Sequence, residues 1–220
     1  MHEYNSKNIA NFLGIGLDAI TYEDLFKKVD TWILDKTTRS HHIACINAHC
    51  VTLALKNERL ARIYNGADIA GPDGMPFVKW IRIFLKNPCD RIAAPDTILQ
   101  LARHSKTTGY TFYLYGGDPQ VIVKMKEFLE EKFPNIRIVG YRSPPFRLLT
   151  SEEDAAVCDE INRLKPDIIC VGLGTPKQDY WIEDHLYKIR GSVFIAKRGR
   201  HPREGNEFRK GERRIRESTY

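Results

Sequence analysis

The sequence predicts a three-layer, Rossmann-like α/β fold with a largely parallel sheet. Three observations carry that expectation. Short β-branched runs alternate with amphipathic stretches of helical period at least four times, the connections are brief, and the run Ile168 to Val171 is apolar throughout. An uninterrupted apolar run of that length, bounded by Pro166 and Gly172, suits a strand covered on both faces, which is the situation of an interior strand in a parallel sheet.

Taken in order, Gly14 to Leu17 is a short apolar segment closed by Asp18, and Leu25, Val29, Trp32 and Ile33 follow at helical spacing behind a Thr21–Asp24 cap. His42 to Asn47 reads as a strand and Ala48 to Tyr64 as one helix. Ala67 to Ala70 is a short strand running into Gly71-Pro72-Asp73-Gly74, followed by a helix from Pro76 to Phe84 that Lys86-Asn87-Pro88 ends. Asp96 or Thr97 is positioned to cap a helix reaching His104. Tyr110 to Tyr115 is a strand ending in Gly116-Gly117, and Asp118 with Pro119 opens a helix to Lys132. Ile136 to Tyr141 is a strand, Ser151 to Leu164 a helix capped by Ser151, and Pro176 suits the first turn of the helix after Gly172 and Gly174. Ser192 to Ala196 supplies a last strand. The division expected is an α/β domain over 1–196 and a basic, flexible tail over 197–220, where only Phe208 and Ile215 are large and apolar.

In parallel sheets ligands sit beyond the carboxyl ends of the strands. Asn47, Asp73, Gly116, Gly117, Gly174 and Lys177 should therefore converge on one rim. Gly172 and Gly174 allow close backbone approach, and the helix start behind them offers free N–H groups to an anion, with Lys177 and Gln178 as natural partners for an anionic or sugar ligand. The same glycines also fit an ordinary strand-to-helix turn. Asp73 lies between a proline that fixes the approach and a glycine that turns the chain away. It reads either as an Asx-type turn residue or as a general base taking a proton from a substrate hydroxyl. Arg91 could grip a phosphate bidentately from a loop-to-helix junction, and Asn47 could serve only as a cap. The cluster His41, His42, Cys45, His49 and Cys50 has zinc-ligand chemistry, but alternate strand residues face opposite ways and cannot all reach one ion; no metal site is expected.

Composition narrows the class. A chain of 220 residues with 42% hydrophobic and 28% charged residues can bury a full core, and no apolar run approaches membrane-spanning length. Met1 to Leu13 shows no secretory pattern, so a cytoplasmic location is expected. The five cysteines, without a C-x-x-C pair, read as reduced and mostly buried. Of the net charge of +6, the segment 196–220 carries +5, from nine Lys or Arg against four Glu. A nucleic-acid partner is disfavoured, because that segment lacks interleaved aromatics and a recognition motif. The same tail could rest on anionic lipid, and homo-oligomer formation stays open.

The order of I-N-A-H around Asn47, A-D-I-A-G-P-D-G over 67–74, R-I-A-A over 91–94, Y-G-G-D-P over 115–119, F-P-N-I-R-I-V-G over 133–140 and G-L-G-T-P-K-Q-D-Y-W-I over 172–182 resembles the WecG/TagA/CpsF family of bacterial glycosyltransferases. The resemblance covers roughly Leu13 to Ala196. It implies inverting transfer of N-acetylmannosamine, its uronic acid or a related sugar from a UDP-sugar to a lipid-diphosphate-linked sugar acceptor at the inner-membrane surface, for cell-surface polysaccharide. Asp73 matches the catalytic base, Asn47 and Arg91 match pocket residues, and Gln178 lies in the loop expected to meet the donor. Backbone amides and basic side chains would stabilise the leaving diphosphate, so no metal or other cofactor is implied. Cys45, Ala94, Asp179 and Pro144-Pro145 depart from the family's usual residues, and the chain beyond Ala196 does not follow its pattern. The other readings left open are a nucleic-acid-binding protein and a catalytically inert α/β protein.

Overall fold

The computed structural model describes residues 8–35 and 39–196. Six strands form one sheet in the order β4-β3-β8-β7-β5-β6, comprising β3 (His41–Ile46), β4 (Ile69–Pro72), β5 (Thr111–Gly116), β6 (Arg137–Arg142), β7 (Ile168–Gly172) and β8 (Val193–Ala196). Every pairing in it is parallel. Two further strands, β1 (Ile9–Phe12) and β2 (Ile15–Asp18), make an antiparallel hairpin. The helices are α1 (Tyr22–Leu34), α2 (Ala48–Ala54), α3 (Glu58–Asn65), α4 (Met75–Trp80), α5 (Ala94–Thr108), α6 (Pro119–Lys132), α7 (Ser151–Leu164) and α8 (Lys177–His185).

Side-chain alternation along the strands divides the core in two. Ile43, Phe112, Leu114, Ile168 and Cys170 pack with α1, α5 and α6 on one face. Their neighbours Ala44 and Ile46 pack with α2, α3 and the hairpin, and Tyr113, Tyr115, Ile169 and Val171 pack with α7 and α8, on the other. Strands buried on both faces explain why β5 and β7 read as unbroken apolar runs. The edge strand β4 is covered by the hairpin, where the half-buried Asp18 carboxylate accepts the Ala70 N–H at 2.7 Å. That contact occupies a backbone donor that an edge strand otherwise leaves open to another chain.

Several boundaries differ from the sequence expectation. The helix expected over 48–64 is two, because Asn57 caps a second one: its Oδ1 accepts the Leu60 N–H at 3.0 Å. The helix expected over 76–84 is α4 followed by a π-helical turn, Ile81–Leu85. Helix α5 starts at Ala94 with Pro95 in its first turn, so Asp96 and Thr97 lie inside it rather than capping it. Thr150, not Ser151, caps α7 in a reciprocal box with Glu153, and Pro176 precedes α8 instead of opening it. The strand Ile9–Phe12 was not expected at all. The tail expected over 197–220 lies outside the described residues. All five cysteines are free thiols, four buried and Cys45 half-buried, as their apolar settings predict.

Candidate active site at the carboxyl rim of the sheet

Parallel pairing places the ends of β3, β4, β5 and β7 on one rim, and the expected site residues follow those ends directly. Asn47 follows β3 and Asp73 follows β4. Gly116 ends β5, Gly172 ends β7, and Gly117, Gly174, Lys177 and Gln178 come just after.

Asp73 has a rigid mount. Its N–H donates to the Ile46 carbonyl at 2.7 Å, which ties the end of β4 to the end of β3 beside Asn47. The Ile92 N–H donates to the Pro72 carbonyl at 3.0 Å, drawing the 91–93 segment against the same strand. That approach needs Gly71, since a Cβ there would fall 2.6 Å from Ile92. Arg91 then reaches back, with Nη1 3.2 Å from Asp73 Oδ1 and Nη2 hydrogen-bonded to Asp96 Oδ2. The three side chains are between 13% and 22% exposed, so the pairing is shielded from bulk water without being sealed from a substrate. Both terminal nitrogens of Arg91 thus face carboxylates, Asp73 on one side and Asp96 on the other. Tyr22 supports the segment by donating its hydroxyl to the Arg91 carbonyl at 3.3 Å.

Asn47 does cap α2: its Oδ1 accepts the Cys50 N–H at 3.1 Å. Gln178 is buried and turned inward. Its Oε1 accepts the Gly174 N–H at 3.1 Å and its Nε2 donates to Thr175 Oγ1 at 3.2 Å, so it holds the glycine loop in shape. Lys177, by contrast, is exposed.

The glycines line a cleft of about 1680 Å³ between α6, the 143–151 segment and α8, with Lys177 at its side. Gly116 and Gly172 are register partners. Gly116 has φ +102°, and a Cβ on it would come within 2.7 Å of the Gly172 carbonyl. Gly117 and Gly174 also take positive φ, which only glycine adopts cheaply. Backbone is therefore exposed where β5 and β7 end, and the first turns of α6 and α8 begin beside it. Asn47, Asp73, Arg91 and Gln178 do not line this cleft. The rim residues fall into two groups, one at Asp73 and one at the glycines, separated by β3 and β8, or ~14 Å at ordinary strand spacing.

Helix α8 follows the glycine loop after β7. It is fastened to α3 by Arg59, which pairs with Glu183 at 2.7 Å and Asp184 at 2.6 Å, and by Asn57, which donates to the Tyr180 hydroxyl. Its first turn carries Asp179, 2% exposed, whose carboxyl burial lifts to about 6. Asp179 and the buried Tyr64 hydroxyl influence each other's titration, yet neither Asp179 Oδ2 nor that hydroxyl has a partner within bonding limits. Burial raises the Cys50 thiol, and the charges of Asp179 and Asp73 both add to the effect.

Sequence reading missed the far wall of the cleft. Trp181 stacks on Tyr115 at 4.3 Å and on His185 at 4.0 Å. His185 Nε2 lies 2.8 Å from Asp154 Oδ1, and Lys188 Nζ lies 2.8 Å from Asp154 Oδ2. Trp181 and His185 stand four apart on one helix, so their common face was readable; that it meets Asp154 of α7 was not.

A parallel α/β sheet with a glycine-lined cleft at its carboxyl rim is the usual setting of a ligand site in such folds, and the comparison with known families gives the class. Residues 10–199 match the Glycosyl transferase WecG/TagA/CpsF family, and the chain belongs to that family and is a glycosyltransferase. Among its relatives are the N-acetylglucosaminyldiphosphoundecaprenol N-acetyl-beta-D-mannosaminyltransferases of Staphylococcus aureus strains NCTC 8325 / PS 47, COL and MRSA252. Each is 23% identical over 186 residues, covering 84% of this chain and 71% of the relative. Among the described residues, no helix is long and apolar enough to cross a membrane.

Proposed function

We propose that the enzyme transfers N-acetylmannosamine or a closely related sugar from UDP to a lipid-diphosphate-linked N-acetylglucosamine, with inversion at the anomeric carbon. The activity for which the staphylococcal relatives are named supports the sugar and the acceptor. The mounting of Asp73, clamped by Arg91 and tied by its own N–H to β3, carries the mechanistic reading. Asp73 accepts the proton of the acceptor hydroxyl as that oxygen forms a bond to the anomeric carbon. The bond from that carbon to the β-phosphate oxygen breaks on the opposite side, and its electron pair leaves with UDP. Arg91 holds the carboxylate in position, Asn47 stands at the neighbouring strand end, and Lys177 with the glycine-loop N–H groups meets the charge growing on the diphosphate. These groups supply positive charge without a divalent ion.

The test is direct. UDP at about a hundred times its Kd stabilises the fold by ~2.7 kcal/mol, a rise in Tm of about 5–10 °C for a chain of this size, while ADP and GDP give less. With UDP-N-acetylmannosamine and the lipid-linked acceptor, a disaccharide-lipid product forms. No UDP-dependent shift and no product would refute the reading.

A further inference from the structure

The segment immediately after Asp73 has a feature that the transfer chemistry does not use. Lys79-Trp80-Ile81-Arg82-Ile83-Phe84-Leu85-Lys86 runs from α4 through the π-helical turn. Only Ile81 in it is fully buried, whereas Ile83 and Phe84 are each 65% exposed and Trp80 is 37% exposed. The aromatic rings are continuous: Phe12 of the hairpin lies 4.6 Å from Phe77 and 5.0 Å from Trp80, and Trp80 lies 4.9 Å from Phe84. Exposed Leu13 and Met75 flank them. Lys79, Arg82 and Lys86 are all exposed in the same segment. Acidic charge nearby comes from Asp90, 3.6 Å from Arg82 Nη2, while Arg82 Nε also donates to the Cys89 carbonyl.

We propose that this surface docks the enzyme on an anionic phospholipid bilayer, with Trp80, Ile83 and Phe84 in the headgroup–acyl boundary and Lys79 and Lys86 at the phosphates. Exposed apolar residues this close together mark a contact surface. Three basic residues interleaved with them fit a lipid surface better than a protein partner, because the cores of protein interfaces are depleted in lysine, whereas Lys stems reach past apolar groups to headgroups and Trp favours that boundary. The placement fits as well. Helix α4, which carries this surface, begins two residues after Asp73 and with the π-helical turn spans about 16 Å, so a bilayer under it brings a membrane-held diphosphate to the rim where Asp73 stands. The proposal rests on the transferase reading for its purpose, though not for its test.

The test is sedimentation of the full chain with vesicles of phosphatidylcholine containing phosphatidylglycerol, without donor or acceptor. Ile83→Glu with Phe84→Glu, both at exposed sites, lowers vesicle binding by at least about tenfold, and Lys79→Gln with Lys86→Gln loses on the order of tenfold on anionic vesicles only. Brominated lipid quenches Trp80 fluorescence, and Trp80→Phe removes that quenching. Unaltered Tm and unaltered transfer to a short-chain, water-soluble acceptor show that the variants are folded and active. Vesicle binding unchanged in the Ile83/Phe84 variant overturns the proposal, as does loss of self-association in place of lipid binding. Vesicle binding as described with no transfer to any acceptor would instead sink the transferase reading and leave this one standing.

Discussion

Gly116→Ala tests the junction on which the cleft depends. Two penalties meet at this residue. Its φ of +102° lies outside the range an L side chain adopts easily, which costs about 1–2 kcal/mol. The new methyl group would also sit 2.7 Å from the Gly172 carbonyl carbon and oxygen, and those atoms are backbone of the adjacent strand, unable to swing aside. Relief requires the ends of β5 and β7 to part, an overpacking cost of about 1–3 kcal/mol. The sum is about 2–5 kcal/mol, or a fall in Tm of about 5–15 °C. Gly174→Ala is the control. It shares the positive φ of +80° but has nothing within 4 Å of the added carbon. Its dihedral penalty is partly offset by the ~0.4–1 kcal/mol gained from restricting the unfolded chain, so its Tm falls by about 6 °C at most. Thermal and urea unfolding of both variants measure the difference. Equal destabilisation would show that Gly116 and Gly172 are not register partners, and the sheet order on which the rim rests would be wrong.

Other consequences are open to measurement. Asp179 is protonated more readily folded than unfolded, so the native state binds the extra proton and stability falls as pH rises from about 4 to about 6, by roughly 3 kcal/mol. Asp179→Asn removes that slope and raises Tm above pH 6; a slope that survives the substitution would place the titration elsewhere. Arg91→Met leaves Asp73 and Asp96 without their shared counter-ion and costs about 3–5 kcal/mol of stability together with most of the transfer rate, measured by urea unfolding and product formation. Arg91→Lys, which cannot bridge two carboxylates with a planar fork, recovers only part of either. Chelation with EDTA leaves the transfer rate unchanged, because Lys177 and backbone N–H groups supply the charge; a rate abolished by EDTA and restored by a divalent ion would add a metal to the mechanism.

Features set by local chemistry were legible in the sequence, and those set by tertiary contacts were not. The apolar run before Gly172, the Asp118–Pro119 helix start and the glycine turns each follow from a few adjacent residues, and together they gave the layers and the rim. The split at Asn57 was hidden, since Leu55-Lys56-Asn57 contains no glycine or proline, and Asn57 is engaged partly by Tyr180, more than a hundred positions away. The directions of Arg91 and Gln178 were hidden for the same reason. Either side chain could face a ligand, but Asp96 sits in the first turn of a helix that begins at Ala94, before the position its own capping chemistry suggests, and Gln178 closes back on its own loop. Asp154 and His185 come together only because α7 and α8 pack on the same face of the sheet, an outcome of strand order that no local pattern encodes.

The most direct measurement is single-turnover transfer from UDP-N-acetylmannosamine to lipid-linked N-acetylglucosamine by Asp73→Asn beside the unaltered enzyme. Loss of the proton acceptor lowers the rate by about 10²–10⁴-fold while UDP binding is kept and the chain stays folded at a somewhat lower Tm, because Asn keeps the shape and the backbone ties of Asp73 but not its charge opposite Arg91. Transfer at the unaltered rate would remove Asp73 from the chemistry and contradict the account at its centre.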